Sequence, residues 1–314
     1  MRDHYSSYDP AMTGAAPSTP RPQARDDRRH HKVPVALLGR FTDDGTDEGV
    51  LHVLDLSKAT WRPSTPRAEC AERGYYSVDA AGMAPGAVEN FLGSEIEGPV
   101  GLTLKTLANS QGQPSRPEMD ALMRFLAMQV LRTEPFRKAA LDYDQSLARK
   151  FIRECTTDAA LDEWERVHGV KFSPEKRAAL REITFNHVGN SRAVHVMLQT
   201  FGQLEGDLAR LRWRVGTLPL GALDLVCSDA PAQFVRVREE DGKLQPIITG
   251  WALPTVGVMM PLSPRQLLLG ATEFISPVLD DKIESGAVGE LNRVTAKGAR
   301  WVYAREQVSE GIGK

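Results

Sequence analysis

Apolar positions along this chain recur at two spacings, and the change from one to the other suggests the fold class. Before about residue 210 they return every three or four positions, the period of a helix with one buried face. Beyond it they gather in short β-rich runs separated by Gly, Pro and Asp, as strands do between turns. Pro34 suits the first turn of a short helix carrying Val35, Leu37, Leu38 and Phe41, with order expected from His31. Residues 50–56 alternate as a strand, and Tyr75 and Tyr76 follow in an extended piece or turn. From Gly86 to about Asn109 the spacing of Val88, Leu92, Ile96, Val100 and Leu104 predicts a helix, kinked by Gly98, Pro99 and Gly101. Three further helices are expected. One runs from Pro117 to about Glu154 and is broken near Pro135, and a second covers Asp158 to His168. A third starts at Ser173-Pro174 and carries a stripe ending at Leu208, weakened at Gly189–Asn190.

The runs RWRVGTLP, ALDLVCSD, QFVRVRE, QPIITG, TVGVMMPL and RQLLLGA read as strands, and a helix from about Leu279 to Gln307 closes the chain. The expectation is an α+β fold, mainly helical, with a compact, mostly antiparallel sheet in the C-terminal half. Residues 1–28 read as a disordered tail, 29–308 as one globular domain and 309–314 as a second short tail. The leader can be read as a solvated segment or as a basic arm that contacts a partner. Interleaved Asp26 and Asp27 favour the former.

Composition removes several function classes. Lys and Arg number 39 against 41 Asp and Glu, so no global basic field advertises nucleic acid. No run reaches the roughly 18 apolar residues of a membrane span, and the first ten residues contain no apolar leader core. Cys70, Cys155 and Cys227 are scattered and odd in number, which argues against a disulfide framework. These features point to a soluble, cytoplasmic protein without a membrane partner. Dinucleotide fingerprint, Walker loop and nucleophile elbow are all missing, so no nucleotide cofactor is expected.

The candidate chemistry lies in polar residues at the edges of apolar elements. His31 could act as general base, metal ligand or cap on a buried carbonyl, and His30 beside it could take the role instead. Glu97 lies among glycines on the kinked helix, whereas Glu89 and Glu95 read as a solvated face. Ser228 and Asp229 end an apolar run before Pro231, as a reactive strand end or an Asx-turn. Gln129 and Arg132 share a face with Leu122, Phe125 and Phe136. Asn292 shares one with Val288, Thr295, Ala299 and Tyr303. Buried amides and guanidinium groups need partners, so Arg132 should meet a carboxylate, Glu97 or Asp229. His187 and His195 are eight apart, out of register for a metal pair, and read as core residues.

Five places together resemble the uncharacterised family known as domain of unknown function 4238. They are His31-x-x-Pro34-x-x-x-Leu38-x-x-Phe41, the helical Glu97 region, and Gln129-x-x-Arg132-Thr133. The others are Ser228-Asp229-x-Pro231 with Pro261-Leu262-Ser263-Pro264 beyond it, and Asn292. The chain departs from that pattern at Glu134, where Pro is expected, and at Gly39, where a longer residue is common. The resemblance implies a polar constellation without an assigned reaction. The strand end Ser228-Asp229-x-Pro231 also looks locally like the last metal-site strand of amidohydrolases, although the H-x-H of that superfamily is missing. One reading is a metal-assisted hydrolase: His31, Glu97 and Asp229 hold one divalent ion and carry catalysis, and Gln129, Arg132, Ser228 and Asn292 bind an anionic substrate. That substrate would be a small molecule or a nucleic acid, as a phosphodiester, amide or ester. The other reading is a non-enzymatic sensor or interaction module in which the same residues form a buried network, its protein partner unknown.

Overall fold

Two antiparallel sheets and a short ribbon hold the helices in place. The computed structural model describes residues 29–78, 84, 86–109, 112–182, 190–237, 244–247, 256–272, 287–307 and 312. The ribbon pairs β1 (Arg29–His31) with β4 (Ala71–Arg73). A four-stranded sheet has the order β3 (Thr60–Ser64), β2 (Leu51–Asp55), β11 (Trp301–Ala304), β6 (Cys227–Ser228). A five-stranded sheet runs β5 (Arg212–Thr217), β10 (Gln266–Ala271), β9 (Val256–Ser263), β7 (Gln233–Val237), β8 (Leu244–Ile247). All pairings are antiparallel, and with the helices below they make the fold α+β.

Alternation explains why β9 and β10 are apolar throughout. Val258, Met260 and Leu268 face the main core with Leu37, Phe41 and Phe125. Met259, Leu267 and Leu269 point the other way, onto Val288, Leu291 and Val294 of α9 (Val288–Ala296). Both faces of these two strands are therefore covered, and no polar side is left to show a period of two.

The helices follow the apolar spacing. After α1 (Val35–Leu38) and a 3-10 turn (Gly39–Phe41) come α2 (Ala87–Phe91), a π-helical turn (Leu92–Glu97) and α3 (Gly98–Asn109). The expected kink is thus one wide turn. Pro99 has no N–H to donate four residues back, and the Gly98 N–H reaches the Gly93 carbonyl instead. The break expected near Pro135 separates α4 (Arg116–Leu131) from α5 (Glu134–Cys155), where Thr133 caps α5 by accepting from the Phe136 N–H. α6 (Asp158–His168) has the expected bounds. The third helix is described as α7 (Pro174–Arg181) and α8 (Asn190–Leu208), and His187 lies outside the described residues.

The closing helix is shorter than expected. It stops at Ala296, Gly298 turns the chain at φ +80°, and Trp301–Ala304 enters the four-stranded sheet beside Leu51–Asp55. The aromatic and β-branched run WVYA favours a strand once the turn is made, so Ala299 and Tyr303 do not continue the Asn292 face. The first part of that expected helix, 279–286, lies outside the described residues. The run before Ser228 is also less of a strand than expected. Its Val226 N–H goes to the Asn292 side chain and its Leu225 N–H to Pro264, outside any strand ladder.

Gly39 brings the acidic loop 42–50 close to the core. A Cβ there would collide with the Asp47 carboxylate and stand 3.1 Å from the Asp47 backbone nitrogen. The absence of a longer side chain at this position is what allows Asp47 to fold down. Gly39→Ala should lower stability by about 1–3 kcal/mol, the usual cost of forcing extra volume into a packed site. Urea unfolding of the two proteins tests this, and equal midpoints would contradict it.

Candidate functional site

The β1–β4 ribbon reaches the site through His31. Alternation along β1 buries His30, which is 1% exposed, and leaves His31 half-buried at the edge of a cavity. His30 stacks on Tyr76, ring centroids 5.5 Å apart, and its Nδ1 accepts from the Tyr76 backbone N–H at 2.9 Å. An accepting ring nitrogen is unprotonated, so the neutral ring carries its proton on Nε2. Burial pushes the Tyr76 hydroxyl far above its ordinary range and that of Tyr75 up to about 12. Neither tyrosine is an ionised group in this site.

Arg132 ends α4 and is buried in the core, its side chain 1% exposed. Its Nη1 donates to Glu97 Oε1 at 2.7 Å. In the orientation that satisfies both ends of its amide, Gln129 accepts from Arg132 Nη1 at 3.2 Å and donates to the Lys32 carbonyl at 3.3 Å. The Arg132 guanidinium also lies 5.5 Å from the Tyr76 ring centroid. Its own carbonyl accepts from the Tyr75 hydroxyl at 2.8 Å. Nε and Nη2 find no hydrogen-bond partner among the described residues. Burial opposes the charge, but the Glu97 carboxylate with its hydrogen bond, and Glu89 beyond it, favour it, and the Arg132 pKa lies above its usual value. The carboxylate expected to face this guanidinium is therefore Glu97.

Glu97 serves two surroundings at once. It closes the π-helical turn, binds Arg132 on its inner side and remains 31% exposed toward a cavity of about 270 Å³. His31, Asp47, Arg67 and Glu89 supply the other charged or titratable lining, with Val100, Leu104 and Phe125 as apolar wall. Arg67 turns its Nε to Glu48 at 3.1 Å. Glu89 lines this cavity and does not belong to a solvated face, whereas Glu95 is exposed as expected. Asp47 was missed because its signal is indirect: an acid in a loop, eight residues beyond a glycine that packs against it.

Asp229 stands elsewhere. It lines a groove with Lys32, Glu72, Glu134, Lys138 and Arg300, separate from the His31–Glu97 cavity. Its Oδ1 accepts from the Arg300 N–H at 3.0 Å and the Trp301 N–H at 3.2 Å, fastening the turn that leads into β11. The local turn is made by its neighbour, since Ser228 Oγ accepts from the Ala230 N–H at 3.2 Å. Asn292 accepts from the Val226 N–H at 3.0 Å and donates to the Asp224 carbonyl at 2.9 Å, bridging α9 to the chain before β6. Ser228 and Asn292 are fully buried. His195 is exposed on α8, contrary to the core position expected for it.

The seven candidate residues thus divide. His31 and Glu97 line one cavity, with Arg132 and Gln129 buried behind Glu97, and Ser228, Asp229 and Asn292 fasten backbone elsewhere. Among the described residues no group of three His, Cys, Asp or Glu side chains could hold a metal ion. His31, Glu97 and Asp229 accordingly do not form a common ligand set. No described helix is long and apolar enough to cross a membrane.

The Asp229 carboxyl has a pKa raised by burial, against the pull of the Trp301 and Arg300 amides. A carboxyl whose folded pKa exceeds its unfolded value favours the native state most when protonated. That advantage is full below about pH 4 and disappears as pH rises through the folded value. Asp229→Asn keeps an acceptor for both amides and cannot ionise. Relative to the parent chain it should gain stability steadily from pH 4 to pH 7 in urea melts. A difference that does not vary with pH would contradict this.

No curated protein matches the chain, and neither does any solved structure. A family model described as protein of unknown function (DUF4238) matches residues 29–307. That span contains both sheets, every described helix and all seven candidate residues, and the chain belongs to the DUF4238 family.

Proposed function

We propose that the protein is a binding module that takes a small cationic ligand in the His31–Glu97 cavity. The observation that carries this reading is Glu97 itself, fixed on one side by a fully buried guanidinium and open on the other to the cavity. A carboxylate held by a rigid partner loses little freedom when a ligand arrives, which favours binding. Asp47 and Glu89 give the lining two further acids, whereas Arg67 is directed to Glu48. A cavity of about 270 Å³ suits a ligand the size of a short diamine or a guanidinium compound.

The positive charge of Arg132 is committed to Glu97, which argues against the anionic substrate expected from the sequence. A metal-assisted hydrolase would further need Asp229 beside His31, and Asp229 is engaged with the Arg300 and Trp301 amides. One observation favours an enzymatic reading without metal: His31 and Glu97 line the same cavity, so an imidazole and a carboxylate could share a proton transfer.

Calorimetric titration of the full chain with butane-1,4-diamine, guanidinium, acetate and inorganic phosphate separates these readings. The two cations should bind saturably, more weakly as salt rises, and at least tenfold more weakly to Asp47→Asn and Glu89→Gln. Asp47→Asn lies apart from the Arg132–Glu97 pair, whereas Glu89 also acts electrostatically on Arg132, so agreement between the two variants is required. Binding of phosphate in preference to the cations, or cation binding unchanged by both substitutions, would contradict the proposal.

A further inference from the structure

Arg40 meets a problem like that of Arg132 and solves it differently. It belongs to the 3-10 turn Gly39–Phe41, is partly buried, and reaches three separate elements with its guanidinium. Nε donates to the Leu262 carbonyl of β9 at 2.7 Å, Nη2 to Oε1 of Gln266 on β10 at 2.6 Å, and Nη1 to the Leu104 carbonyl of α3. All three acceptors are neutral. Among the described residues no carboxylate pairs with Arg40, whereas Arg132 has Glu97. Burial lowers the Arg40 pKa to about 10. A guanidinium carries five N–H groups, and these bonds use three of them. One N–H on each terminal nitrogen remains, with a charge that neutral acceptors do not cancel.

Arg40 lies on the wall of a cavity of about 1050 Å³, enclosed by the loop after the 3-10 turn, the end of α3 and the end of β5. The other polar groups of this wall are engaged. Arg265 and Arg305 share Asp224. Gln113 donates to and accepts from the Val215 backbone, and Gln266 spends its amide on Arg40 and the Leu107 carbonyl. Asp43 and Asp44 are exposed and brace their own loop: Oδ1 of Asp43 accepts from the Val50 N–H at 2.8 Å, and Oδ1 of Asp44 from the Thr46 N–H at 2.9 Å. Leu107, Leu218 and Leu220 supply apolar wall, and Leu220 is 99% exposed.

We propose that this cavity binds an organic carboxylate with an apolar body, its carboxylate on Arg40 and its hydrocarbon against Leu107, Leu218 and Leu220. A carboxylate brings the missing charge and two acceptor oxygens in one group. An inorganic anion would fill little of the space and leave the leucines facing water, so hydrocarbon burial favours the larger ligand. Asp43 and Asp44 on the exposed side disfavour a dianion and so select a singly charged head group. The inference is independent of the cationic ligand proposed for the His31–Glu97 cavity, because the two linings share no residue.

Calorimetric titration of the full chain with octanoate, octan-1-ol, acetate and inorganic phosphate tests it, with circular dichroism melts to confirm that each variant folds. Octanoate should bind saturably, and the other three at least tenfold more weakly. Arg40→Gln should abolish octanoate binding. Because Arg40 ties three elements together, two exposed positions test the charge without disturbing them. Thr217→Glu adds an acid to the same wall and should weaken octanoate at least tenfold. Asp43→Asn keeps an acceptor for its loop amides and should strengthen octanoate about threefold. A chain that does not bind octanoate, or binds octan-1-ol as tightly, would overturn the proposal. So would octanoate binding that is indifferent to Thr217→Glu, weakened by Asp43→Asn, or lost in Asp47→Asn or Glu89→Gln, since the last two would place it in the other cavity.

Discussion

A guanidinium taken wholly out of water is several kcal/mol unfavourable until a charged partner and hydrogen bonds replace what was lost. Arg132 creates that demand at the end of α4, and the elements around it are arranged to answer it. Glu97 supplies the counter-charge from the helix segment opposite, Gln129 one turn back supplies an amide oxygen, and Tyr76 presents its ring. Tyr75 then ties the Arg132 carbonyl, so the α4–α5 junction is held to the segment that follows the β1–β4 ribbon. The π-helical turn belongs to the same solution. A wide turn ending at Glu97 alters the phase between α2 and α3, and it places a carboxylate on the inner side while leaving that residue partly open to the cavity.

The charge of the site follows from this arrangement. Arg132 is paired with Glu97 and Arg67 turns to Glu48, and Asp47 and Glu89 line the same cavity beside His31. Gly39 contributes from outside the apolar pattern, since only a residue without a side chain leaves room for Asp47. The second half of the polar constellation does different work. Ser228, Asp229 and Asn292 satisfy backbone donors where the chain leaves regular strand geometry, which is why Ser228 and Asn292 are polar and yet buried and Asp229 is half-buried.

How far the sequence could be read depended on whether a single physical rule decided each element. Helices with one apolar face, such as Asp158–His168, were legible because spacing and capping agree. The Arg132–carboxylate pairing was legible for a similar reason, because a charged residue on an apolar face has few ways to be satisfied. Trp301–Ala304 was hidden because its helix-like continuation from Asn292 is ended by one glycine, and a turn at φ +80° leaves no trace in an apolar period. The convergence of Asp229 with His31 failed for another reason. Being polar at the edge of an apolar element is equally well explained by a catalytic role and by backbone fastening, and spacing alone does not choose between them. Glu89 and Asp47 lie on local patterns that look solvated, and only the packing of separate segments reveals that they share a cavity.

The central claim is that Arg132 and Glu97 act as one unit, and a double-mutant cycle measures that directly. Equilibrium unfolding would be followed for the parent chain, Arg132→Met, Glu97→Gln and the pair combined. Glu97→Gln alone should cost about 3 kcal/mol, toward the low end for a broken buried pair because this carboxylate is partly solvated. The combined variant should then lose at least about 2 kcal/mol less than the sum of the singles. Single effects that simply add, to within about 0.5 kcal/mol, would mean that the two residues act separately and that the site is organised by something else.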